Sequence, residues 1–216
     1  METKTAKGFT IIELLVALAI MTFLMAVVSF NYGSSNDKLS IAAAGQELAV
    51  ALRQTQVYGL AVRESGIGST VFDYGYGIYL SIDPAQNDKY IIFVDKNFNN
   101  AYDAGSGCGS GYANTECVES VPLRNNIKIT AIELCDDAAG TCGPGSPFHT
   151  PDALQITFKR PSTDSSIVFY QNGGAVTGTA VNGNITLTSP KGRIYTVTIY
   201  RTGQINTNLF GPSESK

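Results

Sequence analysis

Three groups of residues in the sequence have types and spacings suited to chemistry. The first is Lys7-Gly8-Phe9-Thr10-Ile11-Ile12-Glu13, near the N-terminus. Gly8 presents a side-chain-free, easily extended residue to a protease cleft. Glu13 is the sole charge between Phe9 and Phe30. An ionised side chain in an apolar core costs about 2.5–3.5 kcal/mol on insertion scales, so an acid there normally marks a partner; the plainer reading is a lone Glu near the interface that snorkels or is protonated. The second group is Cys108, Cys117, Cys135 and Cys142. Short loops cost less entropy to close, which favours Cys108 with Cys117 and Cys135 with Cys142 among the possible pairings. A zinc site of four thiolates is disfavoured by the absence of a CxxC knuckle and by the wide spacing. The third is Asp95-Lys96-Asn97-Phe98-Asn99-Asn100-Ala101-Tyr102-Asp103. Its alternate oxygens, on Asp95, Asn97, Asn99 and Asp103, match the first half of an EF-hand calcium loop. Asn100 stands at the usual glycine position and Ser106 replaces the bidentate Glu, while Glu116 or Glu119 is available to supply a carboxylate. The competing reading is an Asx-rich turn bonded to its own backbone.

These residues need elements to hold them. Phe9 to Phe30 is an apolar run of about 22 residues, roughly 33 Å as a helix, long enough to span a membrane. Lys4 and Lys7 make the flank expected to stay cytoplasmic. A secretory signal would have a shorter apolar core with a small-residue cleavage site after it, and none follows Val28. Residues 31–38 are polar, and their Gly and Ser content can loosen a helix without ending it. Ile41, Ala44, Leu48, Leu52, Thr55, Gly59 and Val62 then follow spacings of three and four, with Gln46, Glu47, Arg53 and Gln54 on other faces, so residues 31–65 read as an amphipathic continuation ending near Glu64-Ser65-Gly66.

Beyond Gly66 the pattern is that of strands. Val71-Phe72 and Tyr76 to Ile82, a turn from Asp83-Pro84 to Asp88, and Tyr90 to Val94 form a hairpin in the simplest reading. Further strands are expected at Ile127–Leu134, Ala153–Phe158, Ser166–Tyr170, Gly183–Thr188 and Tyr195–Tyr200, the last with the clearest alternation. Residues 66–205 thus read as one β-rich globular domain, and the polar stretch 206–216 as a frayed tail. The fold class is α+β, a long N-terminal helix packed on antiparallel sheet.

Composition narrows the function classes. The net charge is −3 and the pI about 5.1, with 15% charged residues, which lacks the electrostatic footprint of a nucleic-acid binder. The topology puts all four cysteines outside the membrane, in keeping with an oxidising compartment. His149 is the only histidine and sits in a turn-like Ser146-Pro147-Phe148-His149-Thr150-Pro151 without a nucleophile motif, and Asp136, Asp137 and Asp152 read as solubilising charge. Enzymatic function is not expected.

The leader, Gly8, Phe9 and Glu13 closely resemble the N-terminus of type IV prepilins and of type II secretion pseudopilins. The resemblance implies cleavage between Gly8 and Phe9 by a membrane aspartyl prepilin peptidase on the cytoplasmic side, with residues 1–8 as the leader peptide and methylation of the new Phe9 amine. It implies a pilin-like fold, a single-pass inner-membrane anchor with the C-terminal domain outside the cytoplasm, and assembly with other pilin subunits through an inner-membrane platform. In that family Glu13 would meet the N-terminal amine of a neighbouring subunit and set axial register. Leu48 to Gln56, Tyr76-Gly77-Ile78, Tyr90 to Asp95 and a final strand running into Arg201-Thr202-Gly203 further resemble the GspH/FimT type of minor pseudopilin. Members that bind DNA carry arginines after that glycine; here Gln204-Ile205-Asn206 follows, leaving only Arg193 and Arg201 nearby. A membrane-tethered module that binds calcium or a glycan is the alternative from another class.

Overall fold

A computed structural model of the chain describes residues 8–61, 73–105, 107–108, 115–135, 151–176 and 182–210. The chain divides into two compact units, Met1–Leu39 and Ser40–Lys216, each taken by itself below. Helix α1 (Ile11–Leu60) contributes to both. In the first unit the described side chains of the apolar run are all exposed. Ile11–Ser29 has a mean hydropathy of 2.7 and none of it is buried, so by length and composition it is fit to cross a membrane.

In the second unit the helix is amphipathic, as its spacing predicts. Ile41, Ala44, Leu48, Leu52 and Thr55 are buried, whereas Gln46, Glu47, Arg53 and Gln54 are exposed. The Thr55 hydroxyl donates to the Ala51 carbonyl at 2.8 Å, which lets a polar side chain sit on the buried stripe. The described helix runs to Leu60, and the end expected near Glu64 to Gly66 lies outside the described residues.

Among the described residues ten strands follow: β1 (Gly75–Ser81), β2 (Lys89–Asp95), β3 (Cys117–Pro122), β4 (Lys128–Cys135), β5 (Ala153–Phe158), β6 (Ser165–Gln171), β7 (Gly174–Val176), β8 (Asn182–Thr188), β9 (Ile194–Tyr200) and β10 (Ile205–Phe210). They form two antiparallel sheets, one ordered β3-β2-β1-β5-β6-β7 and the other β10-β9-β8-β4. The expected hairpin is β1–β2, with Tyr76 opposite Val94 and Leu80 opposite Tyr90. Its turn is closed by Gln86 and Asn87 N–H groups donating to the Asp83 carbonyl at 2.7 and 2.8 Å. The strand expected at Val71-Phe72 lies outside the described residues.

One core joins the buried helix stripe to both sheets: Ile41, Leu48 and Leu52 share a cluster with Ile78, Leu154 and Ile156 of the larger sheet and Ile132, Ile185 and Val197 of the smaller. The alternation of β9 is resolved as read, with Tyr195, Val197 and Ile199 buried between half-buried neighbours. The helix approaches the sheets closely enough to exclude side chains. A Cβ on Gly45 would lie 2.1 Å from the Tyr195 ring, and one on Gly59 would lie 2.3 Å from the Phe158 carbonyl oxygen.

Three strands depart from the sequence reading. β3 and β7 were not expected, and β10 replaces the frayed tail from Asn206 up to Phe210. The turn that makes β10 possible is built on Gly203, at φ +82, whose N–H donates to the Tyr200 carbonyl at 2.8 Å. The positive φ suits glycine alone among unstrained residues. From there Ile205 pairs with Ile199 and Phe210 with Ile194, so an Asn-rich stretch is held by ladder hydrogen bonds at an exposed sheet edge.

The contact at Gly59 generates a test. Gly59→Ala places a methyl against backbone that cannot rotate away, and overpacking of this kind costs about 1–3 kcal/mol. Thermal melting should show a clear loss for Gly59→Ala and almost none for Val57→Ala, which truncates an exposed side chain two residues earlier; equal stability for the glycine variant would contradict the packing described.

Candidate functional site

The N-terminal residues fall in the first unit. Gly8, Phe9 and Thr10 precede the helix, and Phe9 is 82% exposed. Thr10 caps the helix: its hydroxyl oxygen accepts the Glu13 N–H at 3.3 Å and its carbonyl accepts the Leu14 N–H at 3.2 Å. Thr10 and Glu13 therefore hold the first and last positions of a Thr-x-x-Glu capping signature, a spacing legible in the sequence. Glu13 lies in the first turn, where a carboxylate interacts favourably with the helix dipole. Along the helix it is bordered by Ile12, Val16, Ala17 and Ile20. The arrangement is a charge held at a defined height on an otherwise apolar, exposed cylinder.

The second group is resolved in part. Cys108 and Cys117 are bridged, as the short spacing favours, and Cys135 is also disulfide-bonded. Cys142 lies outside the described residues, as do Asp136, Asp137 and His149. The bridge holds the 95–108 segment to the start of β3.

In the third group the loop's oxygens meet its own donors. Asp95, fully buried, accepts the Asn99 N–H at 3.1 Å on one oxygen and the Asn100 N–H at 3.0 Å on the other. Asn97 and Asn99 accept the N–H groups of Asn99 and Ala101, at 3.1 and 2.7 Å. Their amide nitrogens both donate to one oxygen of Asp103, at 2.6 and 2.9 Å. Glu116 joins them: one carboxylate oxygen takes the Lys96 N–H at 3.0 Å and the other the Asp103 N–H at 2.9 Å. Glu119 lies instead on the exposed edge strand. Among the described residues no three His, Cys, Asp or Glu side chains are gathered to hold a metal ion. The expected calcium ligands are thus in one loop, with their oxygens turned onto backbone and amide hydrogens.

Burial pushes the Glu116 carboxyl up from its ordinary value; the N–H groups of Asp103 and Lys96 pull against this, and the nearby Asp103 and Asp95 charges add to it. The folded protein therefore keeps this proton to higher pH than the unfolded chain does. Glu116 contributes most to stability below its unfolded pKa, and the contribution falls as pH rises through the raised one.

Two expectations follow for the loop. Glu116→Gln removes one acceptor and strands a buried N–H, costing about 1–3 kcal/mol; the melting difference from wild type should narrow as pH rises through the raised carboxyl pKa, and a widening difference would contradict the assignment. Millimolar calcium should leave the melting temperature unchanged, because an ion would have to displace the backbone and amide donors that the loop's side chains already accept. A calcium-dependent rise, abolished by Asp95→Ala with Asp103→Ala, would show that the loop reorganises around an ion.

Comparison with known proteins bears on the N-terminal site. The whole chain matches none of the curated proteins and none of the solved structures compared with it. Residues 3–29 match the family model described as the prokaryotic N-terminal methylation motif, so the segment holding Gly8, Phe9, Thr10 and Glu13 carries a prepilin-type motif and supports a prepilin-type subunit of a pilus or pseudopilus.

Proposed function

We propose that this chain is a structural subunit, cut between Gly8 and Phe9, methylated on the Phe9 amine, and drawn from the inner membrane into a pilus or pseudopilus. The methylation motif over residues 3–29 carries the reading. Three features of the molecule support it. Phe9 lies on the exposed side of a cap at Thr10, where a peptidase has access. The helix after it is apolar and uncovered along Ile11–Ser29, which suits lipid before assembly and neighbouring helices afterwards. Glu13 is one turn from Phe9, so a neighbour's N-terminal amine can meet it at a single axial height.

The finer reading is a minor subunit of the GspH/FimT type, in a type II secretion pseudopilus or a type IV pilus, with the globular unit outside the cytoplasm. The disulfide at Cys108–Cys117 favours that side of the membrane. The partners are other pilins, the prepilin peptidase and methylase, and the inner-membrane assembly platform. DNA uptake is disfavoured. Gly203 is committed to the β9–β10 turn, and the residues after it form an Asn-rich edge strand without a run of cations.

Substitutions at Gly8 and Glu13 separate processing from assembly. A bulky residue at Gly8 should leave the chain in the membrane with its leader attached. Glu13→Gln keeps the backbone cap, which Thr10 supplies, and removes the charge. It should be cleaved normally yet be recovered in sheared filaments at least about tenfold less than wild type, the scale of one lost charge interaction of about 1.4 kcal/mol. Normal recovery of Glu13→Gln would contradict the register role, and normal cleavage of the Gly8 variant would contradict the junction.

A further inference from the structure

The larger sheet has a second face, turned away from the core, and it carries a cleft. Along β1 the side chains alternate: Tyr76, Ile78 and Leu80 enter the core while Tyr79 goes to the opposite face. There it is opposite Gln155 of β5, and Tyr170 of β6 and Tyr102 of the 95–105 loop complete the walls of a cleft of about 620 Å³. The Tyr79 and Tyr102 rings lie 5.3 Å apart, and Phe93 backs Tyr102 at 5.5 Å.

Gln155 makes this arrangement rigid. It is 1% exposed, and its carbonyl oxygen accepts both the Tyr102 N–H at 2.8 Å and the Tyr170 hydroxyl at 3.2 Å. Its amide nitrogen donates to the Asn100 carbonyl. One buried side chain thus ties the loop and a neighbouring strand to the sheet, and the walls stand preformed, as small-molecule sites usually are.

Charge decides what fits. Among the described residues, Asp83 and Asp152 line the cleft and no Lys or Arg does. Each carboxylate uses an oxygen on a backbone N–H, of Ala85 at 2.9 Å and Asn172 at 2.6 Å, and an ionised carboxylate has capacity for further donors. Burial raises the pKa of Tyr79, Tyr102 and Tyr170, so the hydroxyls are neutral and the negative charge is that of the carboxylates. Aromatic faces beside carboxylates attract a cation through ring quadrupole and charge together.

We infer that the cleft between Tyr79, Tyr102 and Tyr170, bordered by Asp83 and Asp152, binds a small organic cation of the ammonium class. The site is independent of the assembly role and is tested separately from it. Isothermal titration of the full chain, in a polyoxyethylene detergent that carries neither charge nor sugar, would use choline and lysine methylamide as cations and cellobiose as a neutral polyol. At least one cation should bind saturably, weakening as salt is raised, and Asp83→Asn with Asp152→Asn should reduce its affinity tenfold or more. That double variant preserves size and leaves each side chain one oxygen for its backbone N–H, so it keeps the test decisive even if Tyr102→Leu, expected to have a comparable effect, fails to fold. Binding of neither cation, cation binding indifferent to the double variant, or preferential binding of cellobiose would each overturn the inference.

Discussion

A largely apolar helical span of 19 residues has to be covered by something other than this chain's own described residues, and a carboxylate near its start has to be matched. Those two requirements organise the N-terminal unit. Burying apolar surface gains roughly 25 cal/mol per Å², so lipid or neighbouring helices would hold the segment Ile11–Ser29 out of water. In lipid the contribution of Glu13 is unfavourable unless a positive partner or a proton meets it. A subunit interface that brings an amine to Glu13 relieves that cost only at matching height, which is how a single charge can select register among helices that otherwise slide. In the proposed filament the apolar surface would supply the tendency to associate and the carboxylate the geometry.

The globular unit solves a different problem with the same helix. Its stripe from Ile41 to Thr55 is closed by two sheets, and Gly45 and Gly59 let the backbone come within side-chain distance of β9 and β5. This frees the outer face of the larger sheet for polar architecture. The 95–105 loop folds onto that face, fastened by Asp95 and Glu116 inside and by Gln155 beneath, and the Cys108–Cys117 bridge anchors its far end. A loop so fully self-bonded is a wall, which makes Tyr102 a fixed surface.

How much of this was legible follows from which residues carry alternation. Tyr195, Val197 and Ile199, with polar residues between them, announce β9, and the apolar runs of β1, β2 and β5 announce strands covered on both faces. β3 is half-exposed, carries Glu119 and ends on Pro122, all features of an edge strand that weaken its signal. β10 is Asn-rich beyond Ile205 and exists because Gly203 turns the chain back, so the informative residue was the turn glycine rather than the strand. At the N-terminus the prepilin-type motif that holds Gly8, Phe9 and Glu13 is readable from type and spacing, and the capping role of Thr10 lies in the Thr-x-x-Glu spacing of the same segment. The cleft was hidden for a physical reason. Gln155, Tyr79, Tyr102 and Tyr170 are distant in sequence and meet only through strand register and a loop that returns over the sheet.

The central claim, that this chain is matured at Gly8–Phe9 and built into a filament through its N-terminal helix, is tested most directly by the intact mass and N-terminal sequence of the chain recovered from sheared filaments of cells that express it. The account predicts a species that begins at N-methyl-Phe9. Recovery of the chain only from membranes, or with an N-terminus at Met1, would contradict it.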